Sequence, residues 1–393
     1  MFIYILNIVL ILFWYFILSY KKSAKKEVWF LLLTGLQLIL LGGLRGLSVG
    51  TDTNAYAYEY EFFKMYGIAR YSGLEYGYVG IMSVLSYFNA NFIWLKMIVA
   101  FIIVFCVFKA IYDLSANVFL SVYLFISMYF YYYSFNGIRQ CIAVAICFFG
   151  YKHLLNRKLL KYILCILVAA QFHTTAYIML PVYFIYTLTK QRKRLFVFLI
   201  MLYFMVVFIN PFMMFVLRFL PRYIAYLDSV YMETFAGARY IIVYGALVCF
   251  GAVILRVTSY KFKVTSPPPT PPINVGGNDG VINEGGFPHT FMGGGGGGLP
   301  VSDKKFILEY LFICIAFVLN LLTIYGFTLF TRLAWYFTIY SIIFIPSCLS
   351  KIKNKYTRMI IFWLIIFITF MYHYYFLSVN YHRIVPWELV INN

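Results

Sequence analysis

Arg139 sits at the head of the apolar run Cys141 to Tyr151, inside Phe135-Asn136-Gly137-Ile138-Arg139-Gln140 and just after the aromatic run Tyr129 to Tyr133. A guanidinium at the edge of hydrocarbon is costly unless it snorkels to water or meets an anion. Its planar fork matches phosphate and carboxylate oxygens in pairs, where lysine offers a point charge. Arg45, Arg239 and Arg332 recur at comparable places, and Tyr56 and Gln140 stand among the same polar stretches. Arginines outnumbering acids on one face make a seat for a polyanionic head group. Asp52, Glu75 and His173 are able to take a proton from an attacking hydroxyl. Plainer uses stand beside these. The arginines serve equally as membrane-edge anchors, Asp52 and Glu75 as helix caps, and His173 as a hydrogen-bonded structural residue. Independent anchors would fall on both faces, and as lysine as often as arginine. No HExxH, no close His/Cys pair and no DxD occurs, so neither a metal nor a cofactor is expected.

The elements that must position these groups are membrane helices. The chain is 63% hydrophobic and 11% charged, with a mean hydropathy of +0.84, which excludes a soluble domain of this size. Segment after segment approaches the ~20 apolar residues needed to span a bilayer. The net charge of +19 lies mostly in short basic loops, where it sets orientation and is no signal for nucleic acid. Seven scattered cysteines without a CxxC read as unpaired packing residues. Met1 to Tyr20 lacks a basic start and a small-residue cleavage site, so a retained helix is expected. The fold class is all-α: a polytopic membrane protein with roughly 11 to 13 transmembrane or re-entrant helices and catalytic loops at its outer face.

Basic loops at Lys21 to Lys26, Lys152 to Lys158, Lys190 to Arg194 and Lys351 to Arg358 are assigned to the cytoplasm. Arg45, Asp52, Glu75, Arg139, His173, Arg239 and Arg332 then reach the outer half of the membrane. Parity is the difficulty, since three crossings between Asp52 and Arg139 would place them on opposite sides. The short segment Val79 to Phe88 resolves it if half-inserted or re-entrant, whereas a short tilted span would not. Leu159 to Gln171 and Tyr177 to Leu188 are both short, and suggest a helical hairpin bent at His173. Residues 1–264 and 303–393 form one membrane domain, interrupted at 265–302. That interruption holds Pro267-Pro268-Pro269 and six consecutive glycines from Gly293 to Gly298, and reads as a disordered cytoplasmic insertion without chemistry.

Taken in order, Arg45 with Gly50-Thr51-Asp52-Thr53 and Tyr56, then Glu75-Tyr76-Gly77-Tyr78, Ile138-Arg139-Gln140 and Phe172-His173-Thr174-Thr175 resemble the EpsG branch of the Wzy-like polysaccharide polymerases. The family's usual Phe-His-x-Ser is met here by Phe172-His173-Thr174-Thr175, the hydroxyl kept on threonine. Arg332 ahead of an aromatic helix fits a later family arginine less specifically. The resemblance implies an inner-membrane glycosyltransferase that polymerises oligosaccharide repeat units carried on undecaprenyl pyrophosphate, at the outer leaflet, for capsule, O-antigen or exopolysaccharide. The glycan leaves its lipid for the free end of the next unit, and undecaprenyl pyrophosphate is released. Asp52, Glu75, Arg139 and His173 would be catalytic, with Asp52 the first choice to take the acceptor's proton; Arg45, Tyr56, Gln140, Arg239 and Arg332 would bind substrate. Implied partners are the lipid-linked oligosaccharide, the bilayer, a flippase and a chain-length regulator. The rivals are a glycan ligase, a lipid-linked oligosaccharide flippase and an exporter.

Overall fold

The computed structural model describes residues 1–20, 25–67, 74–188, 238–264, 301–323 and 329–389, with Phe204 and Phe208. The basic loop Lys190 to Arg194, part of Lys21 to Lys26, nearly all of Thr265 to Ser302 and the side chain of Arg239 lie outside the described residues. No strand occurs among those described, and an isolated antiparallel bridge joins Arg45 to Leu389. Seven described helices are long and apolar enough to cross a bilayer, or eight if the bent pair Phe330–Thr338 and Ser341–Ser350 is one broken span. Val118–Ser127, Leu159–Ala170 and Thr174–Ile185 are shorter apolar helices. All seven cysteines are free thiols.

Helices α1 (Phe2–Tyr20) and α2 (Lys26–Gly43) form a hairpin, pinned where the Gln37 amide donates to Asn7 Oδ1 at 2.5 Å. Helix α2 lies along α5 (Phe92–Leu114), and α5 along α8 (Ile138–Leu155). At about 1.5 Å per residue α5 reaches about 35 Å, more than the hydrocarbon core of a bilayer. Helix α8 is central, 72% of its span being buried, whereas only 17% is buried in α15 (Lys355–Ser378), a lipid-facing helix at the edge.

Charges mark one end of this bundle. Lys152 meets Asp113 at 3.1 Å and Lys351 meets Asp303 at 2.7 Å, tying α5 to α8 and α12 (Val301–Leu322) to the end of α14 (Ser341–Ser350). The opposite end carries Arg45, Glu75, Arg139 and His173. Lys96, one turn into α5, donates to the Arg45 carbonyl, so Arg45 and Arg139 share an end.

The chain's route between them answers the question of parity. Helix α3 (Thr53–Tyr66) is followed by α4 (Tyr76–Tyr87). Glu75, at the head of α4, pairs with Arg139, and Ala90, past its tail, accepts from the Tyr60 hydroxyl at 2.8 Å just before α5 begins. Helix α4 therefore leaves from and returns to the same end, and the short segment Val79 to Phe88 does not change sides. Helix α5 descends to the lysine–aspartate end. Helices α6 (Val118–Ser127) and α7 (Phe130–Tyr133) climb back, broken at Tyr129, whose φ is 71°. A left-handed tyrosine costs about 1–2 kcal/mol, which the buried packing of its ring against Tyr132 and Phe376 offsets. Helix α9 (Leu159–Ala170) rises again, turns at Gln171 to His173, and returns through a 3-10 turn (Thr174–Met179) into α10 (Val182–Leu188). This is a helical hairpin bent at His173. Helices α11 (Ala238–Val264), α12, α13 (Leu329–Thr338), α14 and α15 complete the bundle.

Residues 380–389 lie as a strap over the site end. Gly50 N–H donates to the Arg383 carbonyl at 2.8 Å and Gly46 N–H to the Glu388 carbonyl at 2.6 Å. The Tyr4 hydroxyl reaches Ile384 O, and Trp387 Nε1 reaches Leu41 O at 3.3 Å.

Candidate active site

Glu75 is the hub. Its Oε2 receives Arg139 Nη1 at 2.6 Å, and its Oε1 meets His173 Nδ1 at 2.9 Å. The three come from the head of α4, the first turn of α8 and the bend after α9, so the contact needs all three elements in place. Gly77 makes the approach possible. Its N–H donates to the Gln171 carbonyl at 2.7 Å, and a Cβ there would stand 2.7 Å from that same oxygen. Only glycine lets α4 dock this closely on the end of α9, which accounts for the glycine in Glu75-Tyr76-Gly77-Tyr78.

The electrostatics of the hub are set by its partners. Burial pushes the Glu75 carboxyl up, but hydrogen bonds from His173, its own backbone and Arg139 outweigh it and hold the group down at about 2. Glu75 is thus an anion at all ordinary pH, and a poor proton acceptor. With a carboxylate opposite, His173 Nδ1 carries the hydrogen and donates, which turns Nε2 away from Glu75. The Arg139 side chain is 27% exposed and that of His173 is 21% exposed, against 12% for Glu75. Arg139 and His173 are therefore more open to a ligand than the carboxylate that holds them.

A second wall comes from α3. Its approach is fixed at Gly50, where φ is 105° and a Cβ would stand 2.8 Å from Asn136 Oδ1. Thr51 N–H donates to that Asn136 oxygen at 2.7 Å, seating α3 on the loop that leads into α8. Tyr56 meets the ring of Tyr78 edge-on at 6.3 Å, and Arg139 lies 5.9 Å from the centroid of the same Tyr78 ring. Burial raises the Tyr56 phenol to about 12, so it is a hydrogen-bond donor at neutral pH. Asp52 stands exposed at the N-cap position of α3, without a capping hydrogen bond, and accepts from the Thr51 hydroxyl at 2.8 Å.

The remaining candidates take other places. Gln140 donates to the Arg332 carbonyl at 2.6 Å, bracing α8 against α13, and the Arg332 side chain is exposed. Arg45 is 3% exposed. It donates to Gly42 O and, at 3.5 Å, to Phe135 O, and lies over the Phe135 ring. Burial pulls its guanidinium down to about 10, still a cation at neutral pH. The structure thus joins Glu75, Arg139 and His173 directly, sets Tyr56 beside them, and places Arg45 beneath the surface on backbone carbonyls. The Thr175 hydroxyl, at the position of the expected serine, meets the Tyr336 hydroxyl at 3.0 Å. Two residues escaped the sequence reading as site residues. Lys96 had no signal beyond a charge in an apolar run. Glu59 had one, since it falls seven residues after Asp52 and three after Tyr56, on one face of a helix. No group of three or more His, Cys, Asp or Glu side chains that could hold a metal occurs among the described residues.

The model of the EpsG family matches residues 28–266 and 299–389. The unmatched interval between these stretches falls within the Pro/Gly-rich segment. No curated protein and no solved structure matches the chain.

Proposed function

The chain belongs to the EpsG family, a family of Wzy-like polysaccharide polymerases, and from that premise we propose that it polymerises repeat units carried on undecaprenyl pyrophosphate. The observation that supports this most is Glu75 holding Arg139 and His173 side by side, with both side chains partly open. A leaving pyrophosphate gains negative charge as its bond to the sugar breaks. A guanidinium fork fixed in advance is the donor such charge requires, and the His173 ring stands beside it with Nε2 turned away from Glu75. Glu75 orients both, and the positive end of the α8 dipole lies at Arg139. Undecaprenyl pyrophosphate carries its charge at headgroup level, and Arg139 stands where α8 leaves the apolar core. Tyr56 offers a ring and a hydroxyl to the sugar, Gln140 keeps Arg332 at the rim, and Arg239 heads α11.

The site faces outward in this reading, because the opposite end carries Lys152, Lys158 and Lys351. The product is a capsule, O-antigen or exopolysaccharide chain. A flippase would deliver the donor and a chain-length regulator would end growth, while a nucleic acid has no part. Charge stabilisation by arginine makes the reaction metal-independent. The Pro/Gly-rich stretch 265–302 is a cytoplasmic insertion outside the chemistry, and residues 1–264 and 303–393 act as one domain.

The test is to incubate purified protein in lipid nanodiscs with a defined undecaprenyl-pyrophosphate repeat unit, and to resolve the glycan by size. A ladder with release of undecaprenyl pyrophosphate is expected. Binding of the donor without any product longer than one unit, in the presence of acceptor, would refute polymerisation and point to a flippase.

A further inference from the structure

Glycosyl transfer to a hydroxyl also needs somewhere for the hydroxyl proton to go, and the hub does not supply it. Glu75 is committed to Arg139 and His173, and a carboxyl held at about 2 gives up a proton far more readily than it takes one. Glu59 stands differently. Asp52, Tyr56 and Glu59 follow the i, i+4, i+7 spacing of one helical face. Tyr56, on that face, meets Tyr78, the ring that Arg139 also approaches. The face is therefore turned toward Arg139, and Glu59 is half-buried there, within the electrostatic reach of both Arg139 and Glu75. One guanidinium is paired with the first carboxylate and lies within the electrostatic reach of the second. Burial pushes the Glu59 carboxyl up, Arg139 pulls it down and Glu75 pushes it up again, with a net rise. Paired acids whose environments drive them apart divide the work, one staying charged and the other trading a proton.

We infer that Glu59 is the proton acceptor for the attacking sugar hydroxyl, working across from the Glu75–Arg139–His173 hub. The inference rests on the polymerase reading and adds a catalytic residue to it. The hydroxyl oxygen of the acceptor unit forms a bond to the anomeric carbon of the donor. The bond from that carbon to the pyrophosphate oxygen breaks, and its electron pair leaves with the lipid pyrophosphate. The hydroxyl proton passes to the Glu59 carboxylate, and from there to water. Tyr56, one turn before Glu59, is placed to hold the same sugar.

The experiment compares wild type, Glu59→Gln, Glu59→Asp and Asp52→Asn in nanodiscs, with the undecaprenyl-pyrophosphate repeat unit as both donor and acceptor. It measures donor binding and initial polymer yield on protein that is monodisperse after purification. Loss of a positioned base lowers the rate by about 100- to 10,000-fold. Glu59→Gln is expected to bind donor as wild type does and to lose at least 100-fold in yield. Glu59→Asp should recover part of it, and Asp52→Asn should lose less than Glu59→Gln does. A ladder from Glu59→Gln at near-normal rate, with Asp52→Asn inactive, would hand the role to Asp52. Loss of donor binding together with yield in Glu59→Gln would make Glu59 a part of the donor seat and overturn the inference. A wild-type protein that binds donor and forms no ladder defeats the polymerase reading itself, a failure seen before any variant is compared.

Discussion

Two arginines at the same end of the bundle have opposite surroundings. Arg45 is buried, and its guanidinium engages backbone carbonyls and a phenyl ring. Arg139 is partly open and is held by a carboxylate that also holds a histidine. The first arrangement fixes the charge among carbonyls that already accept it, and so strengthens the fold. The second leaves part of the fork free to meet a further anion. An arginine near a membrane surface is thus a ligand group or a structural part according to what its fork already touches.

The strongest way to break this comparison is to replace each arginine by lysine. Arg139→Lys should lower polymer yield about 100-fold, close to the effect of Arg139→Ala, because loss of an oriented donor at developing charge costs roughly 3 kcal/mol. Its thermal stability in detergent should hardly move. Arg45→Lys should do the reverse, lowering stability by about 1–3 kcal/mol through lost carbonyl contacts while yield per folded molecule stays within a few-fold. Equal behaviour of the two lysine variants in both assays would erase the distinction.

Gly77→Ala sharpens it at the hub. The added methyl meets the Gln171 carbonyl, so α4 must shift and Glu75 moves with it. Overpacking of this kind costs about 1–3 kcal/mol, and yield should drop by tens-of-fold because Arg139 and His173 lose their common anchor. Unchanged yield would mean that the hub tolerates displacement.

A smaller effect is expected from pH. The Glu75 carboxyl is held at about 2, below its ordinary 4.5. A depressed carboxyl stabilises the fold above the ordinary value and loses that contribution as pH falls through the lowered one. Melting curves in detergent should therefore be flat near neutrality and show a decline between about pH 4.5 and 2. Glu75→Gln should remove this decline, and a decline of the same size in the variant would assign it to other groups. The least effect is expected from Gln140→Ala, which removes one hydrogen bond between α8 and α13, worth about 1 kcal/mol, and should weaken donor binding by a few-fold at most.

Much of the fold was legible because hydrophobic runs near 20 residues are an unambiguous signal. The bend at His173 was legible as well, since neither flanking run is long enough for a full span. The hub was legible only as three separate motifs, because Glu75, Arg139 and His173 carry nothing in their spacing that brings them together. Their meeting depends on Gly77, whose necessity shows only once the Gln171 carbonyl is seen beside it. The burial of Arg45 was hidden for a related reason, as the oxygens it engages belong to backbone that any residue would supply. Glu59 was passed over because a carboxylate among tyrosines on an amphipathic helix reads as a solvated face. The break at Tyr129 left no trace, since tyrosine is not a residue from which a left-handed turn is expected.

The strap formed by residues 380–389 bears on how such a protein comes into being. A nascent chain enters the membrane from its N-terminus onward, and Tyr4, Leu41, Gly46 and Gly50 have all left the ribosome long before the residues that close over them. The loop that seats α3 beside α8 is finished only when Arg383 reaches Gly50. Until then the early helices wait with a backbone amide at Gly50 that lacks its native acceptor. Synthesis therefore contains its own delay, since the strap can close only after every helix from α1 to α15 has been made.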